Sequence, residues 1–566
     1  MLADNRRRHA LRAGLAALAV GAATLALSAA DARPPSHPVN PYLPWHTAVF
    51  DAKGDLQPWY QARRGLGYDH VLRLGWRFIE RRVPIDRQTG RRVYINFAVF
   101  DGKTYQGTYW QHDPAELYAA FVDSLLPWYA YSADQRAIEL VRRMLDYQLA
   151  HGTSPAGWAW GRVPFATGCA GDRDYGRCLA GMPRRFYGGI EPDKVGLLGL
   201  AYVRFYELTG ERRFLQAALR CANALARHVR VGDTLHTPWP FRLDARTGRT
   251  LEHANYGGMI VAPIWLFDEL VRLHAGDTAS FSRAREIAWR WLLEYPLNRR
   301  SPDWNRWSGH YEDIDYDPGD LNQATPATTA LYLLTHPDPR AVDGAWQQHV
   351  RTLLGWIKTY LGHGPFHGAW AIDEQREPPK GAFACCSPAG LGSDTARWAA
   401  ASLLLSQRDR DDAAAATARR SLAYATYFMR PDGAVSCCGA QYPQSYWFSD
   451  GYSDYLSAFS RALAADPSLS PPGQDHLLGS TSVVRNIKYS LHRVAYRTFA
   501  ARSLEILRLS FVPTEVLAGG RPLPARRDLR QQGFVIQKLS RGDIALRVRH
   551  DRAHNVVVIA DRNPHR

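Results

Sequence analysis

The sequence predicts a mainly α protein, an (α/α)6 toroid of six helical hairpins followed by an antiparallel β-sandwich. Three observations support this fold class. Apolar residues recur at helical spacing in twelve segments. Short and long connections alternate strictly between these segments. After residue 480 the spacing changes to the period of two that is typical of strands. The helical segments lie near 65–82, 114–131, 134–151, 192–208, 211–229, 255–275, 279–294, 321–335, 340–361, 390–407, 410–429 and 450–464.

Residues 189–230 show the repeated unit. A helical segment follows an acidic loop end, with apolar positions at Val195, Leu198, Tyr202 and Phe205. Thr209-Gly210-Glu211 then turns the chain. A second segment carries one apolar face, formed by Phe214, Ala218, Cys221, Leu225 and Val229. The unit is therefore predicted to be a helical hairpin with a short turn at one end and a long loop at the other.

Residues 1–32 are predicted to be a signal peptide. Arginines precede an Ala/Leu-rich run from Ala13 to Ala30, and Ala30-Asp31-Ala32 fits a signal-peptidase site. The arginine pair before Leu11 loosely resembles a twin-arginine export signal, and a membrane anchor is the alternative. We expect a secreted or periplasmic protein with no stable membrane insertion after signal removal. A Pro-rich arm at 33–58 then leads into a toroid domain predicted over 59–466.

The chain has 566 residues and a net charge of +16. Residues 1–32 contribute four arginines and two aspartates, so about +14 remains without them. A basic surface suits an acidic polymer or a membrane face. The basic residues are scattered, without basic arms or RNA-binding signatures, so no nucleic-acid partner is expected. The oligomeric state is left open.

The connections between the helical segments carry the functional prediction. Short turns occur near 132–134, 209–211, 275–277, 336–338 and 408–409, whereas the long loops have roughly twenty to forty residues, far above the usual length. Twelve helices joined in this way resemble the six-hairpin glycosidase superfamily over about residues 60–465. That resemblance implies a toroid with a substrate cleft at the long-loop rim, in glycoside hydrolases or polysaccharide lyases. An α-solenoid of helix pairs is the structural alternative.

The C-terminal region shows alternating apolar residues, first at Ile487, Tyr489 and Leu491. Gly-rich punctuation separates further runs of this kind, which predicts several short strands. We expect a β-sandwich over residues 480–562, packed on the toroid. It carries no catalytic cluster, so a supporting role is preferred.

Tryptophan is concentrated on the predicted long loops. Large exposed aromatic side chains are costly unless they pack or bind something, and the apolar face of a sugar stacks well on Trp. A rim of tryptophans therefore favours a glycan cleft. For any single tryptophan, packing of the loop against the barrel is an equal alternative. The loop tryptophans are Trp304 and the seven expected to bind substrate: Trp110, Trp158, Trp160, Trp239, Trp307, Trp370 and Trp447.

Carboxylates share the same rim. Glycoside hydrolysis requires a protonated acid and a second carboxylate. Glu312 suits the acid, because desolvation beside aromatic residues raises a carboxyl pKa. We expect the catalytic pair among Glu312, Asp313, Asp193 and Glu191, with His112, Asp113 and Asp450 as substrate contacts and Glu374, Asp315 and Asp454 as further candidates. Structural alternatives are a helix start for Glu191 and Asp193, and an N-cap for Asp450.

A second chemistry fits this rim. The resemblance implies that toroid lyases use Tyr and His as acid and base, with Asn or Arg against the uronate carboxylate. His253, Asn255 and Tyr256 supply three of these residue types within four positions. Asn255 could instead cap a helix on which Tyr256 packs.

Seven cysteines are present. Cys169 and Cys178 bracket one loop, and a disulfide is the default in an exported protein. Cys221 falls on an apolar helix face and is expected to be a buried free thiol. The pairs Cys385-Cys386 and Cys437-Cys438 suggest disulfides between loops, with a zinc site as the alternative.

The sequence therefore predicts an exported glycoside hydrolase that acts on a polysaccharide or oligosaccharide without a cofactor. A polysaccharide lyase of a uronate polymer and a non-catalytic glycan-binding protein are the alternatives.

Overall fold

The computed structural model describes residues 38–82, 85–86, 91–92, 99–101, 107–108, 114–166, 188–234, 236–251, 259–298, 321–377, 382–383, 389–435, 445–447 and 454–560. The predicted signal peptide at 1–32 lies outside this part of the chain. Within it, no helix combines the length and the apolar character needed to cross a membrane.

Thirteen α-helices occur in the described ranges. They are α1 (Gly67–Arg81), α2 (Pro114–Ser132), α3 (Gln135–His151), α4 (Pro192–Thr209), α5 (Arg212–His228), α6 (Val261–Arg272), α7 (Thr278–Glu294), α8 (Ala324–Thr335), α9 (Pro339–Val342), α10 (Trp346–Leu361), α11 (Gly392–Asp409), α12 (Asp412–Ala425) and α13 (Asp454–Ala465). The predicted segment 340–361 is wrong as a single helix. It divides at Asp343, whose backbone is extended and whose side chain accepts a bond from the amide of Ala345 at 2.9 Å.

Six of these helices contact one another in a closed order. Helix α2 packs on α4, α4 on α6, α6 on α8, α8 on α11, α11 on α13, and α13 returns to α2. The inner helix α4 is buried around most of its circumference, whereas its partner α5 buries one face. A helix that is apolar all round belongs inside, and an amphipathic helix belongs outside. The mainly α class is thus confirmed, and the closed order agrees with the predicted toroid.

The short connections lie at one end of this ring. Gly210 ends α4 with a φ of 81°, a left-handed conformation that glycine adopts without strain, and α5 begins at Arg212. Similarly short connections join α2 to α3 and α11 to α12. The N-termini of the inner helices therefore all lie at the opposite end, where the long connections arrive.

The C-terminal region forms two antiparallel sheets. One has the strand order 476–480, 503–509, 544–550, 533–538, and the other 484–490, 493–498, 555–559, 515–518, 521–522. His476 stacks on Tyr131 with ring centroids 3.8 Å apart, and its Nδ1 lies 2.9 Å from the Tyr131 carbonyl. Because Tyr131 is in the last turn of α2, the sheets cover the short-turn end. The domain limits 59–466 and 480–562 stay predictions.

Candidate active site

Polar residues, most of them buried, gather at the N-terminal ends of the inner helices. Glu116, Asp193, Asp394 and Asp454 lie in the first turns of α2, α4, α11 and α13, while Gln323 directly precedes α8. The first turn of a helix has unpaired N–H groups and a partial positive charge, so it favours carboxylates. The closed order of the inner helices brings these five polar helix starts around one axis.

A cavity of about 100 Å³ lies between the inner helices. Its walls are largely apolar, and its charged lining residues are Glu116, Asp123, Arg204, Arg397, Asp454 and Arg461. Farther along the axis, Arg204 Nη1 lies 3.1 Å from Asp123 Oδ1, and Arg461 contacts the other carboxylate oxygen. Burial opposes ionisation of Asp123, but the two guanidinium groups outweigh it and lower its pKa. The cavity is therefore bounded toward the sheets by a network in which two arginines share the carboxylate of Asp123.

Arg397 connects two carboxylates at the mouth of this cavity. Its Nη2 lies 3.5 Å from Asp394 Oδ1 and also contacts Asp454 Oδ2. Arg397 and Asp454 line the cavity. The Asp394 side chain is 1% exposed and that of Asp454 30% exposed. Arg397 thus contacts both the buried carboxyl group of Asp394 and the accessible one of Asp454.

Burial favours the neutral form of the Asp394 carboxyl. It raises the pKa of Asp394 well above its usual value, and Arg397 opposes that shift. The negative charges of Glu374, Asp454 and Asp373 reinforce it. Among the described residues, Asp394 Oδ2 has no hydrogen-bond partner. A buried carboxyl with a raised pKa beside a second, more accessible carboxyl is the arrangement required of a general acid.

The segment after α10 supplies more of the site. Asp373 and Glu374 are both buried, and His363 Nε2 lies 2.6 Å from Asp373 Oδ2. Backbone bonds tie this segment to two helix starts: the amide of Gln323 donates to the Glu374 carbonyl at 3.1 Å, and Leu391 to Ile372 at 2.8 Å. The starts of α8 and α11 are thereby held against one segment.

The predicted candidates Glu191 and Asp193 form a second buried cluster. Arg242 donates to Glu191 Oε1, with Nε at 2.7 Å, and Lys194 Nζ lies 3.4 Å from Oε2. Asp193 Oδ2 accepts from Lys194 Nζ at 3.1 Å and from the amide of Met259 at 2.9 Å. These contacts tie the start of α4 to its neighbours. They agree with the structural role at a helix start that was the alternative to catalysis for both residues. Their catalytic role stays a prediction.

The described tryptophans divide into two groups. Trp160 stacks on His228 with centroids 4.6 Å apart, and Trp239 Nε1 donates to the Leu225 carbonyl at 3.0 Å. Both are 1% exposed. They therefore pack loops against outer helices, which is the structural alternative to sugar binding. Trp158 and Trp370 are half-buried, and Lys358 lies over the Trp370 ring. Of the predicted loop tryptophans whose side chains are described, these two keep a partly exposed surface that could stack on a sugar. Trp447 is described through its backbone, which pairs with Val99.

Many predicted site residues lie outside the described residues, and their roles stay predictions. They are Glu312, Asp313, Tyr256, His253, Asn255, Trp110, His112, Asp113, Trp307 and Asp450, together with every cysteine except Cys221.

Cys221 is a buried free thiol on α5, as predicted, and burial raises its pKa to about 12. In the described ranges, no three His, Cys, Asp or Glu side chains are grouped so that they could hold a metal ion.

Asp394, Arg397, Asn322 and Gln323 were not predicted as site residues. The available signal was their position, at the start of a helical segment that follows a long loop. An acid there is ordinarily read as a helix cap, so position alone does not separate the two roles.

No family model and no curated protein sequence matches this chain. Solved structures that are similar to it include cellobiose 2-epimerase from Bacillus thermoamylovorans, at 9% identity and TM-score 0.47 over 70% of this chain and 98% of that one. Unsaturated glucuronyl hydrolase from a Bacillus species is similar at 14% identity and TM-score 0.42, over 72% and 97%. A family 88 glycosyl hydrolase from Bacteroides vulgatus is similar at 11% identity and TM-score 0.43, over 70% and 99%. These similarities assign no activity or residue to this chain.

Proposed function

We propose that this protein is a glycoside hydrolase in which Asp394 is the general acid and Asp454 is the second carboxylate. The observation that carries the proposal is the buried Asp394, whose pKa burial raises, joined through Arg397 to the more accessible carboxylate of Asp454. Glycoside hydrolysis needs this division of roles between two acids.

In the proposed reaction, Asp394 gives its proton to the glycosidic oxygen as the bond to the anomeric carbon breaks. The leaving sugar departs as a neutral alcohol. Water supplies a hydroxyl to the anomeric carbon, and its second proton ends on a carboxylate, so the sum is glycoside plus water. The Arg397 guanidinium stabilises the charge that appears on Asp394 when its proton leaves.

The cavity supports a sugar as the substrate. Leu197, Met259, Trp265 and Leu331 contribute apolar wall, and charged side chains complete the lining. Such a mixture suits a ring with an apolar face and polar edges. The half-buried Trp158 and Trp370 add aromatic surface on long connections.

The test is an assay of purified protein lacking residues 1–32 on neutral and acidic polysaccharides, read by new reducing ends and ultraviolet absorbance together. Hydrolysis produces reducing ends without absorbance. Asp394→Asn is expected to lower kcat by about 10²–10⁴-fold, the usual contribution of a general acid.

Glu207→Gln is the matched control. Burial raises the pKa of Glu207 to about 7, and it lies near the short-turn end of α4 in contact with Arg272. It is another buried acid with a raised pKa, placed away from the cavity mouth, and its replacement should leave kcat unchanged. Equal loss in both variants would contradict the assignment.

Other outcomes identify other functions. An absorbing unsaturated product would indicate the lyase alternative, and a changed sugar without new reducing ends would indicate an isomerase. Binding without conversion would indicate a glycan-binding protein. Export is a further proposal, resting on residues 1–32, and is tested by whether the mature N-terminus begins near Arg33 in material recovered outside the cytoplasm.

A further inference from the structure

We infer that the sugar unit bound beside Asp394 is uncharged, and that Asn322, Gln323 and Ser393 recognise its hydroxyl groups. The inference rests on the proposed function for the location of the site, and it adds the substrate class.

The first observation is a set of buried polar atoms that lack hydrogen bonds. Among the described residues, neither amide atom of Gln323 has a partner, and neither do Asn322 Nδ2 and Ser393 Oγ. Gln323 is 0% exposed, and the other two are 1% exposed. Buried polar side-chain atoms are normally satisfied, so several orphans at the starts of two neighbouring helices, α8 and α11, call for an explanation. A ligand that makes these bonds supplies it.

These groups are held in place by their backbone. Asn322 pairs with Gln375 in a strand ladder, and its Oδ1 accepts from the amide of Ala324 at 2.7 Å. The Gln323 carbonyl accepts from Ala327 at 2.9 Å as α8 begins. The three orphaned groups are therefore presented by rigid elements, which lowers the entropy cost of binding a ligand.

Their position relative to the general acid follows from two links. Ser393 directly precedes Asp394 in the first turn of α11. The amide of Gln323 is bonded to the carbonyl of Glu374, whose charge acts on Asp394. Helices α8 and α11 are also neighbours in the ring.

The second observation concerns charge. Each cation described near the cavity contacts a carboxylate: Arg397 with Asp454, Arg204 and Arg461 with Asp123, Lys194 with Asp193, and Arg242 with Glu191. Meanwhile Asp373 and Glu374 place negative charge beside Asp394. At the helix starts around Asp394, a uronate carboxylate would meet the negative charges of Asp373 and Glu374 and no described cation that lacks a carboxylate partner.

The chemistry of the orphaned groups points the same way. An amide both donates and accepts, as does a sugar hydroxyl, whereas a carboxylate only accepts. A hydroxyl can satisfy both Gln323 Oε1 and Nε2. A carboxylate would leave Oε1 unsatisfied and next to negative charge.

The test uses pairs of 4-nitrophenyl glycosides in the gluco, galacto and manno configurations. Each pair consists of a hexoside and a hexuronide that differ only at C6. We expect cleavage of a hexoside with kcat/KM at least about tenfold above its hexuronide. A hexuronide cleaved equally well or better would overturn the inference and leave the proposed hydrolase intact.

Binding is measured on the same pairs by calorimetry with Asp394→Asn, so that the two proposals can fail separately. Binding of hexosides without cleavage by the unmodified enzyme would support the inference and contradict the hydrolase. Preferential binding of hexuronides would overturn the inference, and so would binding of neither.

Gln323→Leu tests the subsite directly. Leucine removes both orphaned atoms at similar volume, so the melting temperature should stay equal or rise, while KM for the hexoside rises at least about tenfold. A structural role would give the reverse, with lower stability and unchanged KM.

The matched control is Gln148→Leu. Gln148 is equally buried on the outer helix α3, and its Oε1 likewise lacks a partner among the described residues, but its Nε2 donates to the Gly152 carbonyl at 3.0 Å. Its replacement should lower stability and leave KM unchanged. If the two variants behave alike, the subsite assignment is wrong.

Discussion

Two buried clusters of charge lie at the same end of the ring, and they differ in how completely they are paired. At the start of α4, the carboxylates of Glu191 and Asp193 face two cations, Arg242 and Lys194, although Glu191 Oε2 accepts no hydrogen bond among the described residues. At the start of α11, Asp394 shares the single cation Arg397 with Asp454, and burial raises its pKa. Pairing of each charge with an opposite one is what a structural joint requires. Incomplete charge pairing costs stability and is retained where function uses it.

The comparison is tested most strongly by breaking the paired cluster. Arg242→Met leaves the Glu191 carboxylate buried without the guanidinium group that donates to Oε1, so the free energy of unfolding should fall by about 3–5 kcal/mol. Chemical denaturation measures this. A loss below about 1 kcal/mol would show that the cluster is not a structural joint.

The incompletely paired cluster should respond in the opposite sense. Because the pKa of Asp394 is raised on folding, the folded protein binds this proton more tightly than the unfolded chain. Its contribution to stability is present at low pH and is lost as the pH rises above the usual carboxyl range. Asp394→Asn cannot ionise, so at pH 7 it should be as stable as the unmodified protein or more stable, while kcat falls.

The pH profile of the unmodified enzyme gives a companion measurement. Since the acid must be protonated, kcat/KM should decline on the alkaline side as Asp394 ionises. A flat alkaline profile together with an unstable Asp394→Asn variant would make Asp394 a structural residue.

A third buried pair, in the C-terminal sheets, extends the comparison with a smaller effect. His550 Nε2 lies 3.1 Å from Glu505 Oε2, and both side chains are fully buried. Burial lowers the pKa of His550, but the adjacent Glu505 carboxylate outweighs this and raises the pKa overall. The stabilisation is therefore complete below about pH 6.5, the usual histidine pKa, and is lost as the pH rises through the raised value.

His550→Gln should flatten that dependence without changing kcat, because the sheets cover the far end of the ring. Melting temperatures between pH 5 and 9 check this. A parallel change in kcat would mean that the sheets act on the site.

The smallest effect is expected at an exposed pair. Arg290 Nη2 lies 2.7 Å from Glu286 Oε1, with both side chains more than two thirds exposed. Glu286→Gln should change the free energy of unfolding by less than about 1 kcal/mol, and added salt should remove the difference. A larger loss would show that burial is not what separates these clusters.

Much of the helical architecture follows from local pattern. The spacing of apolar residues in 192–208 and 211–229 placed α4 and α5 within a few residues, and Gly210 marked the turn between them. The division at Asp343 was missed, because a single extended residue does not interrupt the apolar period that continues through Val350 and Leu353.

The site was less accessible to such reasoning. Glu374 and Asp454 were recognised as rim carboxylates, but Asp394 was not, since it resembles an ordinary first-turn acid. Likewise, Trp160 and Trp239 could not be told from exposed loop tryptophans, because only their neighbours His228 and Leu225 show that they pack inward.

The sequence by itself determined the helices, their alternating connections and the change to strands, because periodicity and turn residues act over a few positions. Only the tertiary structure decided which polar residues meet. Ring closure brings together helix starts that lie more than 60 residues apart in the sequence, such as those of α8 at Gln323 and α11 at Asp394. It also decides which buried atoms find partners and which keep a proton, since pairing and desolvation depend on neighbours in space.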